Sequence, residues 1–346
     1  MSVNVNEVLQ KLNVGQELSA QEAYDMITAI HHNLLSDIQI MRFQVALLMK
    51  GPTLIEISAI AKAMRDYCIP VKPEVDSELM DTCGTGGGLS TFNISTAVAF
   101  IAAAAGIKVA KTGSKSSTIL SGSADVLEAL GIQINQTPRG VEKMIEEVGI
   151  AFLYAPLFHP VMQKMIHPEK DLGIKTIFYT IIGPLINPAK ATRHVMGVYK
   201  PELLNTVSQV ALELNYTRAL FVHGEGGMDE ISLLGKSYIQ ELKNGKITDY
   251  ELVPEDLGLV RCKPNDIITG TPEANAVMIR DVFSGKNKGP RRQAVLLNAA
   301  AALMIGEKAD SLKEGLKLAS EIIESGMAQN KLNELTEASH AYKTLN

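Results

Sequence analysis

Apolar residues recur at helical spacing from the start of the chain to about residue 70. Ser19 precedes AQEAYDMITAIHHNLL, Ser36 precedes DIQIMRFQVALLMKG, and Thr53 opens LIEISAIAKAMRDYC. A hydroxyl residue ahead of an apolar-periodic run marks a helix start, and Gly51 reads as a helix stop. Three helices in succession without a strand predict a small helical domain. Ile69-Pro70 and Lys72-Pro73 form a stiff connector, because each proline disfavours helix in the residue before it.

From Val75 the period changes. KVAKTG, AFLYAP, TIFYT, VMGVY and RALFVHG predict strands, and PELLNTVSQVALELN predicts a long helix. TAVAFIAAAAGIKVA predicts a buried helix leading into a strand. It is too short to span a membrane and is interrupted by Gly106 and Lys108. Ser123 is expected to cap ADVLEAL, and Thr137-Pro138 to open a helix that closes at Gly149. QELKNGKITDYEL predicts a hairpin around Asn244-Gly245, and the chain from Glu273 onward is again helical. Alternating strands and helices imply an α/β fold with a mainly parallel sheet covered by helices. The expected division is a helical domain over residues 1–72, which helices from about 159–190 can join, and an α/β domain over residues 73–346.

The chemistry starts at DTCGTGGGLSTFNIST, residues 81–96. Gly84, Gly86, Gly87 and Gly88 follow a short strand and precede a helix. Bare backbone there can approach an anion, toward which the helix N-terminus points free N–H groups. Thr91, Asn93, Ser95 and Thr96 can donate or accept around the same anion. The spacing matches neither a Walker A loop nor GxGxxG, and a turn with ordinary N-capping uses the same residues. A second stretch, KTGSKSSTILSGSADVLEALG, brings Lys111, Lys115, Ser117 and further hydroxyls to another helix start. Two such loops after neighbouring strands lie side by side at the strands' carboxyl ends, where open α/β sheets bind ligands. A third stretch, HGEGGMDEISLLG, sets Asp229 beside Glu230. An acidic pair alone is ordinarily surface charge; beside two phosphate loops it suits Mg²⁺, which takes one or two carboxylates and shares its shell with phosphates.

Composition narrows the partners. The net charge is −5, with no long basic run, which argues against nucleic acid. Cys68, Cys83 and Cys262 form no CxxC pair, which fits a reducing cytoplasm, and the N-terminus lacks the charge and apolar core of a signal peptide. His31, His32, Met162, Met165, Met196 and Met304 read as packing residues, and His159 as a residue shaping a hinge.

Taken in order, DTCGTGGG with TFNIST, SGSADVLEALG, FLYAPLFHPVM, GIKTIFYTIIGPLINPA, GVY, HGEGGMDEISLLG and AVLLNAAAALMIGEKADSLKEG resemble the anthranilate phosphoribosyltransferases of tryptophan biosynthesis. The resemblance covers essentially the whole chain. It implies the fold shared with pyrimidine nucleoside phosphorylases, a homodimer formed through the helical domain, and transfer of phosphoribose from 5-phosphoribosyl-1-pyrophosphate (PRPP) to an aromatic amine with Mg²⁺. It places the pyrophosphate on Gly84, Thr85, Gly86 and Gly87, the phosphates and ribose on Asn93, Ser95, Thr96 and Lys111, and the metal on Ser95, Asp229 and Glu230.

The acceptor side departs from the pattern. Where the family reads KHGNR, this chain has Lys111-Thr112-Gly113-Ser114-Lys115. Glu169 stands where an arginine helps hold the anthranilate carboxylate, Gly88 where an aspartate often follows GTGG, and Tyr179 where an asparagine often follows TIF. The acceptor positions are thus Thr112, Ser114, Glu169 and Gly183. Either anthranilate is held by other groups, such as Lys170, Lys175 or Arg193, or the acceptor is a different aromatic or nucleobase-like molecule. A nucleoside phosphorylase and a non-catalytic nucleic-acid-binding relative are the remaining alternatives.

Overall fold

The computed structural model describes residues 4–116, 120–172 and 176–344, excluding the side chains of 167–172 and 179. Ser117 and Lys175 therefore lie outside the described residues, as do the side chains of Glu169, Lys170 and Tyr179. Four helices come first: α1 (Val5–Asn13), α2 (Ala20–His31), α3 (Asp37–Lys50) and α4 (Leu54–Asp66). α1 is one more than the three expected. Ser19, Ser36 and Thr53 cap α2, α3 and α4, each with a reciprocal bond to Glu22, Gln39 or Glu56 three residues on.

Seven strands form one sheet in the order β3-β2-β1-β4-β5-β6-β7. β1 (Met80–Gly84), β2 (Val109–Gly113), β3 (Ile150–Tyr154), β4 (Arg193–Gly197) and β5 (Arg218–Gly224) run parallel. β6 (Ser237–Lys243) and β7 (Lys246–Leu252) add an antiparallel edge. The turn between them has positive φ at Asn244 and Gly245, as a two-residue hairpin turn requires. The chain runs outward from β1 through β2 to β3, then returns to place β4 on the other side of β1. The strand order reverses there, and open α/β sheets bind ligands beyond the carboxyl ends of the strands at such a point.

Alternate side chains of each strand go to opposite faces. Leu220 and Val222 enter a core with α5 (Ile94–Ala104) and the helix Pro290–Ile305. Met196, Ala219 and Phe221 enter a second core with α2, α3, α4 and the helices Pro160–Leu172 and Leu204–Glu213. One face of the sheet is thus continuous with the helical bundle.

Two local expectations fail. TIFYT is helical: Phe178–Ile182 forms a wide helical turn, and Phe178 packs against Phe43 with ring centroids 6.0 Å apart. Its β-branched and aromatic residues resemble a strand, but the pocket between helices decides their conformation. Ser123 is the first residue of α6 (Ser123–Ala129), not its cap. Gly122 is the cap, and Asp125 accepts from the N–H groups of Gly122 at 2.8 Å and Ser116 at 2.9 Å.

Candidate active site

β1 delivers the chain into the glycine segment, and α5 begins immediately after it at Ile94. Gly86 and Gly87 take positive φ, 64° and 90°. A Cβ on Gly88 would fall 2.0 Å from the Gly227 carbonyl oxygen. Any side chain there would drive the segment off the acid loop, which accounts for glycine at this position. Three hydrogen bonds join segment and loop: Gly86 N–H to Asp229 Oδ2 at 2.8 Å, Leu89 N–H to Gly227 O at 2.8 Å, and Thr91 Oγ1–H to Glu230 Oε1 at 2.8 Å. Thr85 donates its N–H to Gly197 O at 2.9 Å, and its Oγ1 accepts from Tyr199 N–H at 3.0 Å.

The acid pair is desolvated. Burial pushes the Asp229 carboxyl above its ordinary value against the Gly86 N–H bond, which works the other way. Burial, and then the charge of Asp229, push Glu230 well above its ordinary value. Glu230 Oε2 is buried and has no hydrogen-bond partner. A desolvated pair with an unsatisfied oxygen is the donor set a hard divalent cation completes, so the residues fit Mg²⁺. Asn298 fixes the backbone beside the pair: its side chain accepts from Ile231 N–H at 2.9 Å and donates to Ile231 O at 3.0 Å.

From β2, Lys111 reaches under the glycine segment, donating to Thr82 O and lying 3.5 Å from Ser95 Oγ. Burial holds its ammonium below the ordinary lysine value, partly offset by Asp81. Asn93 Oδ1 accepts from Asn275 Nδ2 at 2.8 Å and Ser121 Oγ at 3.3 Å, which ties both loops to the helix Pro272–Phe283.

A cavity of about 280 Å³ opens among these elements. Gly84, Thr85, Gly86, Gly87, Thr91, Asn93, Ser95, Lys111, Asp229 and Glu230 form its polar end. Ala155, Pro156, Met162, Ile166, Pro184 and Ile186 supply its apolar lining, and His159, Gly183, Thr112 and Ser114 also line it. Burial pushes the His159 imidazole down to about 4.

The two parts of the chain match two family models: residues 6–68 the helical bundle domain of a glycosyl transferase family, and residues 76–329 its α/β domain. An anthranilate phosphoribosyltransferase of Acetivibrio thermocellus is 45% identical over 343 residues, 99% of each chain. One from Petrotoga mobilis is 46% identical over 96% of each. The chain belongs to the anthranilate phosphoribosyltransferase family. The crystal structure of the Thermus thermophilus anthranilate phosphoribosyltransferase superposes with a TM-score of 0.89 at 38% identity, covering 96% of this chain and 99% of that one. The Saccharomyces cerevisiae anthranilate phosphoribosyltransferase in complex with PRPP and Mg gives 0.89 at 27% identity, covering 97% and 98%.

Within this phosphoribosyltransferase not every sequence-level candidate reaches the cavity. Thr96 is fully buried on α5, its Oγ1 has no partner, and it does not line the cavity. Lys115 lines the rim, but its ammonium sits 2.8 Å from Glu128. Arg193 is excluded as an acceptor ligand. It stands at the amino end of β4, with Glu78 at 2.8 Å and Glu307 at 2.7 Å. Thr112 lines the cavity yet gives its N–H to Asp81 Oδ1 at 3.1 Å and its hydroxyl to Asp81 Oδ2 at 2.5 Å.

Sequence reasoning gave no role to Asp81, Tyr199, Asn275 or Asn298. Asp81 opens the glycine motif, but its partners Thr112 and Asn187 are distant in the chain, and the same separation hides the others.

Proposed function

We propose that this phosphoribosyltransferase moves 5-phosphoribose from PRPP to an aromatic amine with Mg²⁺. The observation that supports it is the meeting, at the polar end of one cavity, of the glycine segment, Lys111 and a buried acid pair with an unpartnered oxygen. Backbone N–H groups of the segment bind the diphosphate, while Ser95, Asn93 and Lys111 orient phosphate and ribose. Asp229, Glu230 and Ser95 hold the cation. Bound there, Mg²⁺ supplies positive charge for the diphosphate as the C1–O bond breaks.

Breaking that bond leaves an oxocarbenium-like C1, which an amine held against the apolar lining attacks from the opposite face. No covalent nucleophile is needed. Burial pushes the Cys83 thiol up and keeps it protonated, and His159 stays neutral beside the acceptor. The test is conversion of PRPP and anthranilate to product with Mg²⁺ and with chelator; no Mg²⁺-dependent product from any aromatic amine refutes the reading.

One observation favours an acceptor other than anthranilate. The lysines among the described lining residues are Lys111 and Lys115, the first buried under the glycine segment and the second on Glu128. Thr112 gives its N–H and hydroxyl to Asp81. With these two lysines so placed, an aromatic amine lacking a carboxylate is the second reading. Glu169→Arg is expected to lower the KM for anthranilate by about 10-fold, the effect of one favourable charge contact of about 1.4 kcal/mol. An unchanged KM means the carboxylate is held elsewhere.

The enzyme acts as a homodimer in a reducing cytoplasm. Exposed Ile38 and Met49 on α3, and the three free thiols, support this. No helix among the described residues is long and apolar enough to cross a membrane. Light scattering on the purified protein checks the dimer.

A further inference from the structure

Beneath the glycine segment, three side chains remain outside the transfer reaction. Asp81 and Cys83 lie two residues apart on β1 and so share a face, and His194 pairs in register with Asp81 on β4. One ligand atom from each lies within 4.8 Å of the others. Cys83 Sγ is 3.3 Å from His194 Nε2. That is close to the ligand–ligand edge of a zinc tetrahedron, about 3.6 Å for bonds of about 2.3 and 2.1 Å. The trio is not a nucleophilic triad. His194 Nδ1 is buried without a partner, so Asp81 does not orient the imidazole as a base. Cys83 lines the cavity, while Asp81 and His194 are fully buried behind it. Three protein ligands leave one position of a zinc tetrahedron open, and Cys83 is the member of the trio that borders the cavity.

We propose that Asp81, Cys83 and His194 form a site for a soft divalent cation of the zinc type, entered through the cavity and separate from the Asp229–Glu230 pair. Thiolate and imidazole select such an ion over magnesium. As the metal–sulfur bond forms, the Cys83 thiol proton leaves to solvent through the cavity. Thiolate, carboxylate and divalent ion sum to zero among themselves, which leaves the buried Lys111 ammonium, now offset by Asp81, as the net charge beside them. Asp81 accepts from Thr82 N–H at 2.7 Å, Thr112 N–H at 3.1 Å, Thr112 Oγ1–H at 2.5 Å and Asn187 Nδ2–H at 2.8 Å. Ligation displaces one of these, and also the Cys83 N–H that His194 Nε2 accepts at 3.4 Å. The Thr112 hydroxyl is the one with another acceptor at hand, because it lies 3.5 Å from Cys83 Sγ.

Titration of the full-length protein with Cd²⁺ reads the site through thiolate-to-cadmium charge-transfer absorbance. A single equivalent is expected to develop the band. Cys83→Ser abolishes it, and His194→Gln weakens binding by more than about 100-fold, beyond the loss of an outer-shell partner. Asp229→Asn leaves it intact. The proposal is overturned by an undiminished band in Cys83→Ser, by unchanged affinity in His194→Gln, or by loss of the band in Asp229→Asn. Should a variant fail to fold, zinc-edge X-ray absorption on the unaltered protein decides. A sulfur neighbour at about 2.3 Å is expected, and a shell of nitrogen and oxygen alone overturns the site.

Discussion

Gly86 donates its N–H to Asp229 Oδ2 at 2.8 Å, so the segment assigned to the diphosphate and the carboxylate assigned to the metal are directly bonded. Removing the acids is expected to affect both ligands. The variant Asp229→Ala with Glu230→Ala should lose Mg²⁺-dependent turnover by at least about 100-fold, within the range for removal of a group that stabilises growing charge. It should also weaken PRPP binding measured by calorimetry. Retained turnover would remove the metal assignment.

Gly197 ends β4 against the same loop, and a Cβ there would fall 1.5 Å from the Asp229 carbonyl oxygen. That atom is backbone and cannot rotate aside. Gly197→Ala should cost about 3 kcal/mol, the upper part of the range for overpacking. Urea denaturation measures it, and a loss under about 0.5 kcal/mol, the level of a surface change, would show that the loop yields freely.

His159 gives the acid limb of stability. Its ordinary value is 6.5 and its folded value about 4. Above 6.5 both folded and unfolded chains are neutral there, and pH has no effect through this group. As pH falls from 6.5 toward 4, the unfolded chain takes up a proton that the native one refuses, so stability falls. The full loss is about 3 kcal/mol. His159→Gln should flatten that limb in melts between these pH values. An unchanged slope would mean that His159 reaches water in the native state.

Glu56 anchors the helical bundle. Fully buried, it accepts from Leu18 N–H at 2.8 Å, Thr53 N–H at 2.7 Å and Lys50 Nζ at 2.7 Å. Glu56→Ala strands the Lys50 ammonium at 5% exposure and should cost about 3–5 kcal/mol. Adding Lys50→Met should recover part of it. Denaturant midpoints of the two variants check both statements.

Much of the site was legible because its groups sit within short runs. Gly84 to Ser95, Lys111, and Asp229 with Glu230 meet at one cavity, since strand ends gather at the switch point. Helix caps at Ser19, Ser36 and Thr53 are local chemistry and read directly. Thr96 was misplaced because the hydroxyl cluster crosses into α5, whose period turns that position inward. Arg193 was misplaced because a sequence does not say which end of a strand a side chain guards. TIFYT was misread because local propensity yields to the partner surface, and Asp81 went unassigned because its partners come from β2 and from Asn187.

The helix Pro160–Leu172, following β3, closes over the N-terminal bundle: Gln44 Nε2 donates to Met165 O at 3.2 Å, and Lys164 Nζ to His31 O at 2.6 Å. A polypeptide cut after Lys72 would keep its four helices but lose this helix and Phe178, which packs on Phe43. The bundle is therefore no portable module. Its integrity reports on chain synthesised about a hundred residues later, and the apolar wall of the cavity, carried by that same helix at Met162 and Ile166, is set in place only when this mid-chain helix has met the N-terminal bundle.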